Sequence, residues 1–206
     1  MLLAHKPSKI LVTGKSGSGK STYFTRYVIN APYPRRFLFD HEGEFQARLG
    51  IRAATNEAGL LDSLRRPWTI YDPAEQFPGD TEAGFAFFCE WVFEMSRRLP
   101  GAKLFCCDEL QKLVGTNTVS WELALLLETG RRYGVDAIMI SQQPNLIHNR
   151  VRGQLTECVT FQQIEPNALK FLEEIGYDGE AVKALRPGEF WARNLTSLGE
   201  ARGRVF

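Results

Sequence analysis

Short apolar runs alternate with stretches of helical periodicity along the chain, the signature of an α/β fold on a mostly parallel sheet. Residues 10–12 read as a first strand and residues 22–29 as the helix that follows. Strands are predicted at 36–40 (RFLFD) and at 68–72 (WTIYD), the latter closed by Pro73, with a short helix at 60–64 between them. A long helix at 81–99 carries Phe85, Phe87, Phe88, Trp91 and Phe93, and Pro100 and Gly101 stop it. Such an aromatic run could stack bases, but its expected role is core or subunit packing. Strands are predicted at 103–108 and 135–141, on either side of a helix at 120–132 that Ser120 can cap. Residues 157–162 read as a further strand, 167–175 as a helix and 188–193 as a late strand. No repeat, low-complexity segment or linker interrupts the pattern, so the expectation is a single domain over 1–206. Gly115, Thr116, Asn117 and Thr118 form the clearest flexible loop.

Composition narrows the class. The chain has 206 residues, 44% hydrophobic and 24% charged, with a net charge of +1, so no overall field draws it to nucleic acid or membrane. Arginine outnumbers lysine, 17 to 8, and recurs in pairs at 35/36, 65/66, 97/98 and 131/132. Arginine suits sites that grip phosphate or carboxylate in a fork, although composition bias would produce pairs too. Cys106 and Cys107 lie inside an apolar run; Cys89 and Cys158 stand alone, without metal-ligand spacing, which fits a reducing compartment. No apolar stretch reaches the roughly 18 residues of a membrane span, and the first residues, MLLAHKP, are too short in their apolar part for a secretory signal. His5, His41 and His148 are scattered and are assigned no metal or catalytic role.

The chemistry is concentrated at strand ends. Gly14-Lys15-Ser16-Gly17-Ser18-Gly19-Lys20-Ser21-Thr22 follows the first strand and opens the first helix, and it fits the P-loop pattern G-x-x-x-x-G-K-[ST]. Its glycines let backbone N–H groups turn toward a phosphate chain, and the helix N-terminus adds partial positive charge. Lys20 is expected at the β- and γ-phosphates of ATP, and Ser21 on Mg²⁺. Lys15 occupies a variable position of the loop, and its side chain is expected in solvent. Leu104-Phe105-Cys106-Cys107 reads as a buried central strand that ends in Asp108 and Glu109. Asp108 is expected to hold Mg²⁺ and Glu109 to activate water, although such a pair also caps helices. A carboxylate dedicated to water favours hydrolysis over transfer to an acceptor hydroxyl. The apolar strand ending at Ser141 leads to Gln142, a candidate sensor of the γ-phosphate, with Gln143 the weaker candidate. Arg131 and Arg132, in Gly130-Arg131-Arg132-Tyr133-Gly134, are candidates for a finger that stabilises transition-state charge; the alternative is a helix C-terminus complemented by cations.

Taken together, these residues resemble a known group. The P-loop alone names no family. Asp40-His41-Glu42-Gly43-Glu44 resembles the D-x-x-G-E of HerA-like ATPases, LFCCDE resembles their Walker B strand, and a Gly-Arg-Arg-x-Gly element leads into a strand ending in Ser-Gln-Gln-Pro. The combination is similar to the HerA/FtsK superfamily of P-loop NTPases (RecA-like, ASCE), with a central mostly parallel sheet flanked by helices. A core of this size looks like the genome-packaging ATPases of tailless, internal-membrane viruses with double-jelly-roll capsids. That resemblance implies a homo-oligomeric ring, hexameric or pentameric, that moves double-stranded DNA into a capsid. It implies Arg131 or Arg132 acting in trans, capsid or portal-vertex proteins as partners, and residence in the host cytoplasm or at a virion vertex. The chain lacks the strongly basic segment expected of a DNA binder; a few pore-facing residues per subunit, multiplied around a ring, offset that. Gly115 to Thr118 is the candidate pore loop. Two other readings stay open: a Zot-type assembly ATPase of filamentous phage, which a transmembrane continuation would favour, and a nucleoside or nucleotide kinase, which the arginine pairs would serve. A nucleotide switch without hydrolysis is disfavoured by Glu109.

Overall fold

The computed structural model describes residues 8–206; His5 and the first residues weighed as a signal lie outside them. The elements run β1 (Lys9–Thr13), α1 (Lys20–Asn30), β2 (Arg35–Phe39), α2 (Glu44–Leu49), α3 (Glu57–Ser63), β3 (Trp68–Tyr71) and α4 (Thr81–Arg98). They continue with β4 (Lys103–Cys107), α5 (Leu110–Leu113), α6 (Trp121–Thr129), β5 (Val135–Ser141), α7 (Asn149–Arg152), β6 (Glu157–Thr160), α8 (Pro166–Glu174), α9 (Gly179–Lys183), β7 (Glu189–Asn194) and β8 (Glu200–Arg204). The strands form a mixed, mostly parallel eight-stranded sheet in the order β3-β2-β4-β5-β1-β6-β7-β8, so the expected α/β architecture is present. Among the described residues, no helix is long and apolar enough to cross a membrane.

Two compact units divide the chain. One comprises Pro32–Asp108 and Val119–Ala137; the other comprises Ser8–Ala31, Glu109–Thr118 and Ile138–Phe206. In the first, β2 pairs in parallel with β3 and β4, and Leu38 and Cys106, both fully buried, lie in register. Helix α4 lays its aromatic residues on these strands. Phe85 meets Phe39 with ring centroids 5.0 Å apart, Phe88 meets Tyr71 at 5.3 Å, and Trp91 meets Phe37 at 5.8 Å. Aromatic pairs of this kind contribute about 0.5–1.5 kcal/mol each beyond their buried area. The aromatic run is therefore core, and the base-stacking alternative is excluded for its buried members. Gly84 is required where α4 crosses the exit of β3: a Cβ there would lie 2.4 Å from the Cβ of Pro73.

In the second unit, β1 and β6 are parallel, and β6, β7 and β8 continue antiparallel. Strand β8 was not anticipated. Its sequence, EARGR, has no apolar alternation, and it is exposed along most of its length. The short helix expected at 60–64 begins earlier, because the Asn56 side chain caps α3 by accepting from the N–H of Gly59. The helix expected to run to 132 stops at Thr129. Ser120 caps it as foreseen, but its last turn tightens into a 3₁₀ turn over Gly130–Tyr133. All four cysteines are free and buried.

Candidate nucleotide site

The second unit holds the candidate phosphate cradle. β1 is buried over its five residues, and the chain leaves it at Gly14. Gly14, Gly17 and Gly19 have φ of 143°, 71° and 114°, so the loop needs backbone that side-chain-bearing residues rarely adopt. A Cβ on Gly14 would lie 2.7 Å from the Cβ of Phe161, and one on Gly19 would lie 3.0 Å from both Phe161 and Val205. The loop is tied down from outside as well: the N–H of Lys15 donates to the carbonyl of Gln162 at 2.8 Å, and the N–H of Gly188 donates to that of Ser18 at 2.9 Å. Helix α1 then starts at Lys20.

The polar atoms of the loop suit an anion. Lys20 is 6% exposed, and its ammonium donates to the Lys15 carbonyl at 2.8 Å, so it lies across the loop. The Ser18 hydroxyl is buried with no hydrogen-bond partner. An orphaned buried hydroxyl inside a ring of left-handed glycines is the arrangement a phosphate oxygen would satisfy. Ser16 and Gly17 are exposed, while Lys15, Ser21 and Thr22 are half-buried.

Glu109 sits in the same unit. It directly precedes α5, with φ 51° and ψ 40°. Placing a non-glycine residue in the left-handed region costs on the order of 1–3 kcal/mol, and such positions cluster at functional sites. The Glu109 carboxylate is engaged at both oxygens. Its Oε1 accepts from Gln142 Nε2 at 2.5 Å, its Oε2 accepts from Gln111 Nε2 at 2.7 Å, and the Lys112 ammonium lies 3.4 Å from Oε2. Glu109 is therefore held by two amides and a cation, with its side chain only 13% exposed. Gln111 keeps its Oε1 buried without a partner.

Gln142 is itself held. Gln163, 2% exposed, donates from Nε2 to the Gln142 carbonyl at 3.0 Å, and its Oε1 accepts from the N–H groups of Ile164 and Glu165. A continuous path thus runs from the P-loop through Gln162 and Gln163 to Gln142 and Glu109. Sequence reasoning missed Gln163, Phe161 and Gly188. The signal for Gln163 was present, because Gln162-Gln163 repeats the motif of amides after an apolar strand that singled out Gln142. Gln143 is exposed; its N–H donates to the Ser141 hydroxyl at 3.2 Å, and its carbonyl accepts from the N–H of Leu146 at 3.0 Å.

The remaining candidates lie in the first unit. Asp108 follows β4 and is half-buried. Arg131 and Arg132 stand exposed on the 3₁₀ turn. In the D-x-x-G-E element, buried Asp40 accepts from the N–H of Gln46 at 2.8 Å and so fixes the first turn of α2; burial raises its pKa. Gly43 supplies the left-handed turn before that helix, at φ 73°.

Solved structures similar to this chain include ATPases. The genome packaging NTPase B204 of Sulfolobus turreted icosahedral virus 2, in complex with AMPPCP, matches with a TM-score of 0.75 at 20% identity, over 96% of this chain and 97% of that one. B204 of Sulfolobus turreted icosahedral virus, a DNA-packaging ATPase, matches with a TM-score of 0.70 at 20% identity, over 97% and 98%. EssC (ATPases 2 and 3) of Geobacillus thermodenitrificans matches with a TM-score of 0.58 at 14% identity, over 91% of this chain and 37% of that one. No protein-family model matches the chain. No curated protein matches it. This chain therefore shares its fold with these ATPases.

Proposed function

We propose that this protein is an ATP-hydrolysing motor that drives double-stranded DNA into a viral capsid as a single-domain subunit of a homo-oligomeric ring. The observation that carries the hydrolytic part is the hydrogen bond between Gln142 and Glu109 in the unit that holds the P-loop. A carboxylate clamped by an amide at a strand end suits a base that handles water and reports nucleotide state. The cargo rests on the fold, which matches the two viral packaging enzymes over nearly their whole length.

In this reading the backbone of Gly14 to Thr22, Lys15 included, receives the phosphates of ATP with the hydroxyls of Ser16 and Ser18. Lys20 leaves the Lys15 carbonyl to meet the β- and γ-phosphates. Ser21 and Asp108 offer the hard oxygen donors that Mg²⁺ prefers, and the ion would neutralise charge on the β- and γ-phosphates. Glu109 accepts a proton from the attacking water while Gln142 fixes its Oε1. Arg131 or Arg132 reaches a neighbouring subunit's γ-phosphate, where such an arginine is worth roughly 10³–10⁵ in rate. Gly115 to Thr118, exposed beyond α5, would contact DNA in the pore. Capsid or portal-vertex proteins complete the assembly, at work in the host cytoplasm or at a virion vertex.

Phosphate release with and without double-stranded DNA tests this reading. Free phosphate that rises on adding DNA, and that Lys20→Ala abolishes, is expected. Transfer of label from ATP to a nucleotide acceptor would establish the kinase reading instead.

A further inference from the structure

We infer that Lys103 is a positioning residue for the Arg131–Arg132 turn: its buried ammonium fastens that turn to the end of α4. Lys103 opens β4 and is 1% exposed. Its ammonium donates to three main-chain carbonyls, those of Ser96 at 3.1 Å, Leu99 at 2.5 Å and Tyr133 at 2.8 Å. No carboxylate is among them. A buried cation costs free energy unless its donors are satisfied, and three carbonyls satisfy all three protons of this one. The Ser96 carbonyl belongs to the last turn of α4 and the Leu99 carbonyl to its C-cap, where a positive charge also meets the favourable end of the helix dipole. That part alone would be a helix cap.

The third carbonyl reaches further. Tyr133 directly follows Arg132 and closes the 3₁₀ turn. Lys103 grips the same place with its backbone as well, its N–H donating to the Gly134 carbonyl at 2.8 Å. Gly134 has φ 73°, and a Cβ there would lie 3.0 Å from the Gly101 carbonyl, so the turn packs directly on the segment before β4. The Tyr133 ring meets Phe93 of α4 edge-on at 5.6 Å. Both arginines are exposed at the crest of a turn whose base is locked by one residue. An exposed guanidinium that must enter a neighbour's site needs a rigid base, because its own side chain supplies none.

The inference rests on the proposed action of these arginines in trans, and a mixing experiment separates the two. Lys103→Met keeps the stem and removes the donors. Alone, it is expected to bind a fluorescent ATP analogue with unchanged affinity and to hydrolyse ATP about 10²-fold more slowly, the scale of a misplaced catalytic group. Mixed with Glu109→Gln, whose own sites are dead but whose turns are intact, it should recover turnover, as should the Arg131→Ala/Arg132→Ala double variant. Recovery by the double variant but not by Lys103→Met would overturn the inference, as would wild-type turnover of Lys103→Met alone. A fully active double variant would remove the trans reading and the inference with it. Should Lys103→Met fail to fold by circular dichroism, Gly134→Ala, which pushes the same turn off Gly101, carries the same outcomes.

Discussion

Glu109 and Gln142 should act as one unit, and a double-mutant cycle measures how far they do. Gln142→Ala removes the amide that donates to Glu109 Oε1 at 2.5 Å. A hydrogen bond to an ionised group contributes about 1.5–3 kcal/mol, and the pair is largely shielded from solvent, with the Glu109 side chain 13% exposed. Taking ~2 kcal/mol, the expected loss in single-turnover rate is roughly 30-fold at 1.36 kcal/mol per tenfold. Glu109→Gln should lose on the order of 10²-fold or more. In the Glu109→Gln background the carboxylate is already gone, so adding Gln142→Ala should cost little further. Rapid-quench measurement at saturating ATP gives all four rates. If Gln142→Ala slows the Glu109→Gln protein by the same factor as it slows the wild type, the two residues act independently and the clamp has no role in the chemistry.

Gly19→Ala should weaken nucleotide binding by tenfold or more, about 1.4 kcal/mol, because its Cβ meets Phe161 and Val205 at 3.0 Å on a backbone of φ 114°; calorimetry with AMPPCP checks this. Burial raises the pKa of Glu157 above the ordinary carboxylate value. A raised folded pKa means that stability is fully present below the unfolded value and is lost as pH rises through the folded one. Glu157→Gln should therefore flatten the stability profile across that window and raise the denaturation midpoint at neutral pH, as followed by urea unfolding. Asn117→Glu with Thr118→Glu, at exposed loop positions, should abolish stimulation by double-stranded DNA while leaving basal turnover intact; undiminished stimulation would remove the loop from DNA contact.

Much was legible in the chain because the signals are local. Apolar runs of strand length placed β1 to β5, and the P-loop announced itself because its glycines meet a backbone requirement that operates within nine residues. Ser120 could be named as a cap because a cap bonds three residues away. Strand β8 escaped because a polar edge strand carries no periodic pattern, and α3 was misplaced because Asn56 outweighed the apolar pair that follows it.

What the sequence determined by itself was therefore a set of chemical groups, each at the end of its own strand. Only the tertiary structure decided their company. Gln163 over Gln142, the left-handed turn of Glu109 and Lys103 beneath Tyr133 join residues that are 21, 33 and 30 positions apart. Such pairings depend on strand order and on which buried donors find acceptors, and no local spacing along a chain encodes either.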